Sequence, residues 1–151
     1  MRLVISLKPG LLSRLADCGR RSLGPAAPGE WLLPVIAAFG FLFVAEEGED
    51  IIASAQVFAC RESGDLYMDA FYVVPERRRR GLGRELLGQV MDRLGREGYS
   101  RLLVTADPGN EAAMALYRAT GFEELEELGE FYGAGRRRLL LAAPLRRGGG
   151  A

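Results

Sequence analysis

Val73-Val74-Pro75-Glu76-Arg77-Arg78-Arg79-Arg80-Gly81-Leu82-Gly83-Arg84-Glu85-Leu86-Leu87 joins a β-branched apolar run to a leucine-rich one through four consecutive arginines and two glycines. The apolar run ends at a proline, which reads as a strand stopping. After the turn, apolar residues fall at 82, 86, 87, 90, 91 and 94, the 3.6-residue period of an amphipathic helix. A strand, a tight basic turn and a helix N-terminus succeed one another. Such a terminus presents unpaired backbone N–H groups and the positive end of a helix dipole. Gly81 and Gly83 let backbone approach a ligand with no Cβ in the way, and arginines supply forked donors for phosphate. The segment therefore predicts a seat for a phosphorylated cofactor. It is not the dinucleotide Gly-x-Gly-x-x-Gly pattern, because position 86 is leucine.

Downstream, Asn110-Glu111-Ala112-Ala113-Met114-Ala115-Leu116-Tyr117-Arg118-Ala119-Thr120-Gly121-Phe122 is a second helix. Ala113, Leu116, Tyr117 and Thr120 share one face, Asp107 to Asn110 supply start signals, and Gly121 stops it. The remaining punctuation predicts strands over 3–7, 41–46, 51–60, 66–74, 101–106, 122–128 and 136–143. Helices are predicted over 11–21, 31–38, 82–97 and 109–120, with a loop over 24–29. The order β-α-α-β-β-β-α-β-α-β-β argues a layered α/β or α+β domain. Residues 1–145 are expected to form one domain, and 146–151 a disordered tail.

Composition narrows the function classes. The chain has 151 residues, 48% of them hydrophobic, enough for a core. Twenty basic and 20 acidic residues balance, so charge argues for neither nucleic acid nor an anionic membrane. Lys8 is the single lysine, which leaves arginine as almost all of the positive charge. There is no histidine, which removes imidazole catalysis and histidine-ligated zinc, and no metal site is expected. Cys18 and Cys60 form no disulfide framework, and residues 1–7 are too short and charged for a signal peptide, so a cytoplasmic setting is expected. The apolar stretch 31–45 is interrupted by Pro34 and Gly40 and is shorter than the ~20 residues of a spanning helix.

Arg78-x-x-Gly81-x-Gly83 resembles the Gln/Arg-x-x-Gly-x-Gly/Ala pyrophosphate-binding pattern of the GCN5-related N-acetyltransferases (GNAT). The 110–122 segment resembles that family's Asn-x-x-Ala-x-x-Leu-Tyr-x-x-x-Gly-Phe element. The resemblance covers roughly residues 40 to 143. It implies a mixed, mostly antiparallel sheet of about six to seven strands flanked by about four helices, splayed between its fourth and fifth strands. It implies acetyl-CoA as cosubstrate and acetyl transfer to a primary amine, on a small molecule or a peptide. Arg78, Arg79, Arg80, Gly81, Leu82, Gly83 and Arg84 would hold the pyrophosphate. Phe71 and Val73 would pair with the cofactor as an added strand does, and Asn110 would bond backbone or cofactor. Tyr117 would act as general acid toward the thiolate.

The base is less plain. Relatives often place a glutamate where this chain has Tyr67 or Thr105, and neither is a base. The strand Leu66-Tyr67-Met68-Asp69-Ala70-Phe71-Tyr72-Val73 resembles one in polyamine acetyltransferases, which puts Asp69 on an acidic catalytic position. Asp69 as base, a water relay, or a mere structural partner of an arginine all stand open, and so does a non-catalytic acyl-CoA-binding module. A small primary amine, including a polyamine, is the expected acceptor, attracted by Asp69 and the Glu123–Glu130 block. Phe131, Tyr132 and Leu139 to Leu141 supply surplus apolar surface, and relatives' habits then imply a homodimer.

Overall fold

The computed structural model describes residues 1–146; the tail expected to be disordered lies, from 147 onward, outside the described residues. The elements run β1 Arg2–Val4, α1 Pro9–Leu23, α2 Leu32–Phe39, β2 Phe41–Glu47, β3 Asp50–Ala59, β4 Leu66–Val73, α3 Leu82–Arg96, β5 Arg101–Ala106, α4 Glu111–Ala119, β6 Glu123–Glu127 and β7 Leu139–Pro144. The strands form a mixed, mostly antiparallel sheet in the order β1-β2-β3-β4-β5-β7-β6. The chain divides into two units, one of residues Met1–Ala59 with Met68–Val90 and one of Cys60–Tyr67 with Met91 onward.

In the first unit alternate strand positions feed two apolar layers. Leu42, Val44 and Tyr72 pack with Leu15, Ala16, Cys18, Leu33 and Ile36 of α1 and α2. Their neighbours in sequence, Ala45 and Val73, pack with Ala53, Leu82 and Leu86 at the start of α3. The period seen in sequence is thus what lays the helix after the arginine turn onto the sheet. Pro9 opens α1, where its missing N–H costs nothing, which starts that helix two residues before the expected Leu11. Pro34 falls in the first turn of α2 and is tolerated for the same reason.

Two expected strands fall three residues short at one end. The first ends at Val4 rather than Leu7: Val4 pairs with Leu42 and β2 begins at Phe41, so the ladder had room for at most one further pair. Ile5 is accordingly 85% exposed despite its β-branched side chain. The last strand begins at Leu139 rather than Arg136, where pairing with Glu127 starts.

In the second unit β5 pairs with β7 along its whole length, and β7 with β6. Buried Leu102, Val104, Leu141 and Ala143 line these strands. The start of β4 runs parallel to β5, in register at Leu66↔Leu102 and Tyr67↔Leu103. Asp65, only 7% exposed, fixes that start. It accepts from the Arg101 guanidinium at 3.1 and 2.5 Å, a fork that repays desolvation of the carboxylate. Gly95 on α3 lets the helix lie against the Arg146 backbone, where a Cβ would collide.

The Arg101 bond holds the Asp65 carboxyl below its usual range. A carboxyl lowered by folding contributes stability above its unfolded pKa of about 3.9, and that contribution is lost as pH falls through the folded value. Asp65→Asn should therefore lower Tm at neutral pH and soften the acid decline, so that the mutant and wild-type curves converge at low pH. Parallel Tm curves from pH 7 to pH 2 would contradict this role for the pair.

Candidate functional site

The arginine–glycine turn belongs to the first unit. Val74 to Arg77 make a single 3-10 turn, with Arg77 N–H donating to Val74 O at 2.9 Å and Arg78 N–H to Pro75 O at 3.3 Å. The chain then enters the left-handed region twice, at Arg79 (φ 61°) and Gly81 (φ 75°). Gly81 takes that conformation without strain, whereas a side chain at Arg79 costs about 1–3 kcal/mol, which the surroundings must offset. Glu85 N–H donates to Gly81 O, so Gly81 stands at the helix cap and the N–H groups of Leu82, Gly83 and Arg84 are those an α-helix leaves unpaired. Left-handed residues in a turn are the backbone setting in which successive N–H groups can form an anion-binding concavity.

The five arginines near the turn divide into two sets. Arg77 pairs with Glu47. Arg78 donates from Nε to Val73 O at 2.9 Å and from Nη2 to Ser22 O at 2.8 Å. Arg79, Arg80 and Arg84 are exposed and make no ion pair among the described residues. The sequence pattern gives Arg78 first place among phosphate contacts, yet its side chain is engaged with backbone, and the uncommitted charge lies at 79, 80 and 84. A cleft of about 520 Å³ beside the turn offers no rival anion seat. Its arginines are paired, Arg14 with Glu46 and Arg21 with Glu76, and Glu49 and Asp50 add negative charge.

On β4, Leu66, Met68, Ala70 and Tyr72 are buried while Tyr67, Asp69 and Phe71 alternate on the more open face. Asp69 forms no ion pair or side-chain hydrogen bond among the described residues, so the reading of it as an arginine's structural partner is not met. It is exposed by surface area, yet desolvation by the atoms around it pushes its carboxyl above the ordinary carboxylate range.

Tyr117 and Asn110 belong to the second unit. Asn110 caps α4, its Oδ1 accepting from Ala113 N–H at 3.1 Å. Asp107 sets up that cap by accepting from Gly109 N–H at 2.8 Å. A cap of this kind contributes about 1 kcal/mol. The helix ends in a Schellman motif: Phe122 N–H donates to Tyr117 O at 2.9 Å and Gly121 N–H to Arg118 O at 3.2 Å, with Gly121 at φ 89°. The apolar contact that goes with this motif is Phe122 against Tyr117 itself, ring centroids 5.3 Å apart. The tyrosine is therefore clamped at backbone and ring. It is 8% exposed, and burial, with Tyr67 adding a smaller push, raises its phenol to about 12.

Where a carboxylate is common in relatives, Tyr67 and Thr105 hydrogen-bond to each other at 2.9 Å. Neither side chain accepts a proton at neutral pH, and the pair supplies hydroxyls where relatives have charge. Arg21 and Ser22 escape sequence reasoning altogether. Arg21 Nη1 donates to Glu76 at 3.0 Å and Ser22 gives its carbonyl to Arg78, contacts spanning more than fifty residues with no local pattern to announce them.

A profile of the acetyltransferase (GNAT) family matches residues 12–122. The thialysine N-epsilon-acetyltransferase of Bos taurus is 26% identical over 102 residues, 68% of this chain and 53% of that protein. The ribosomal protein bS18 alanine N-acetyltransferase of Escherichia coli is 42% identical over 52 residues, 34% of this chain and 35% of that protein. The chain thus matches about half the length of the first curated relative and about a third of the second. The crystal structure of the ribosomal-protein-S18-alanine N-acetyltransferase from Escherichia coli has the same fold, with a TM-score of 0.78 at 22% identity over 95% of this chain and 94% of that one. The family profile runs through the arginine–glycine turn, β5 and α4, and the chain belongs to the acetyltransferase (GNAT) family.

Proposed function

We propose that the protein transfers the acetyl group of acetyl-CoA to a primary amine by direct attack. The observation that carries this is the turn 78–84, with unpaired backbone N–H groups at a helix N-terminus and three guanidiniums that make no ion pair among the described residues. In this reading that turn receives the pyrophosphate, and Phe71 and Val73 align the pantetheine as a neighbouring strand would. The neutral amine nitrogen attacks the thioester carbonyl, the C–S bond breaks, nitrogen gives up a proton and the sulfur gains one.

Tyr117 is the group for the sulfur. With its phenol raised to about 12 it stays protonated throughout neutral pH, so it is always a donor and never a base. Such a phenol is a weaker acid than a thiol of ordinary pKa near 8.5, so the proton moves late, as charge builds on the leaving sulfur. Asp69 is the group for the amine, either as base or by attracting the ammonium form before water carries the proton away. Its unpaired carboxylate supports that role, and its raised pKa strengthens it as a base. The relatives are named for N-acetylation of thialysine and of an alanine on ribosomal protein bS18, which makes an amine the acceptor class here. A binding module that holds acetyl-CoA without turnover is the second reading, favoured by the hydroxyl pair at Tyr67 and Thr105.

Calorimetric titration should give one acetyl-CoA site per chain. Gly83→Glu, which sets a carboxylate among the unpaired N–H groups, should abolish binding while leaving the chain folded by circular dichroism. Normal binding by that mutant would move the seat elsewhere.

Kinetics with an amine panel then separate the roles. Asp69→Asn should cut kcat/KM by about 10²-fold or more and remove an acid limb lying above the ordinary carboxylate range, if the carboxylate is the base. A rise in KM with kcat unchanged would make it an attractor only. Tyr117→Phe should lower kcat with acetyl-CoA affinity kept. Binding by the wild type with no turnover on any amine would favour the module over the enzyme.

A further inference from the structure

We propose that Arg78 and Arg21 are positioning residues, which latch the last turn of α1 onto the cofactor turn and act on the cofactor through the backbone they hold. This rests on the reading of residues 78–84 as the pyrophosphate seat. Three observations in the first unit converge on it.

The first is the pair of carbonyls that Arg78 bonds. Its two donors reach the ends of two different elements, Val73 closing β4 and Ser22 in the last turn of α1. Carbonyls in the last turn of a helix have no partner within it and sit at the negative end of its dipole. A planar, permanently charged fork suits both at once, and a single ammonium does not.

The second is the backbone immediately after Arg78. Arg79 is the single residue other than glycine with positive φ among the described residues. A strained residue persists where its surroundings over-determine it. Fixing both Arg78 and, three residues on, the α3 cap at Gly81 leaves the Arg79 peptide little freedom.

The third is that the latch is double. Arg21, next to Ser22, donates to Glu76 at 3.0 Å and to Cys18 Sγ at 3.5 Å. Adjacent residues of α1 therefore grip both flanks of Arg77. Through this path, whatever orders the turn also orders the end of α1, and the coupling is reciprocal.

Hydrogen exchange and CoA titration over a salt series, on the full chain, decide the matter. The variants are Arg78→Lys, Arg78→Met and Arg21→Met, with Arg84→Gln as a phosphate-contact control. The latch predicts that, without cofactor, both Arg78 variants exchange faster by about tenfold at amides 79–84 and at the end of α1, with Arg21→Met showing a smaller rise in the same two places. It predicts that Arg78→Lys binds CoA as poorly as Arg78→Met, because lysine cannot bridge two carbonyls. It also predicts an unchanged salt slope for both, while Arg84→Gln flattens it. Near wild-type binding and exchange in Arg78→Lys, with a flattened slope in Arg78→Met, would overturn the proposal and make Arg78 a direct phosphate ligand. Should Arg78→Met not fold, Arg78→Lys and Arg21→Met carry the same comparison. If the wild type binds no CoA, the cofactor reading fails, and the cofactor-free exchange still decides whether the latch exists.

Discussion

Between the end of β4 at Val73 and the start of α3 at Leu82 the chain must leave a buried strand, reverse, and begin a helix without spending that helix's first N–H groups. The guanidinium of Arg78 resolves the conflict by bonding the carbonyl where the strand stops and a carbonyl at the end of α1. The cost of the reversal is concentrated at Arg79, held left-handed, and Gly81 absorbs the second kink freely. What remains is a helix start whose first N–H groups are unpaired, with exposed Arg79, Arg80 and Arg84 in the same stretch. The layers beneath, Val73 with Leu82 and Leu86 on one face and Tyr72 with α1 on the other, keep the two ends of the reversal fixed.

Chemistry in the second unit depends on a comparable economy. One tyrosine serves as the C-terminal anchor of α4, the ring partner of Phe122 and the proposed acid. Burial that secures the packing is the same burial that raises the phenol's pKa. Asn110 is likewise committed, as a cap, so its contribution to cofactor binding would come from the amide nitrogen or from the turn it organises. Around Tyr67 and Thr105 hydroxyls replace the charge that many relatives carry, which leaves Asp69 as the carboxylate on β4.

Local punctuation made the centre of this fold legible. Pro75, Gly81, Asn110 and Gly121 each impose a backbone geometry on their own neighbourhood, and the apolar period of 82–94 sets the face of α3 without help from elsewhere. Pairing over long distances was not legible. The partner of Arg78 is Ser22, that of Glu76 is Arg21, and that of Asp65 is Arg101. No spacing rule links such positions, and in a chain this rich in arginine one guanidinium looks like another. Ile5 shows the converse failure: its β-branched side chain marks a strand in sequence, yet pairing with β2 ends one residue earlier, at Val4.

The proposed acetyl transfer requires that residues 79–84 receive a pyrophosphate. Titrating CoA into isotopically labelled protein and tracking backbone amides by NMR tests this most directly. A seat at the turn predicts saturable shifts at one site, largest at the amides of Arg79 to Arg84, with smaller ones at the end of α1. Largest shifts at Cys18, Glu49 and Asp50, which line the neighbouring cleft, or none at 79–84 under saturating CoA, would contradict it.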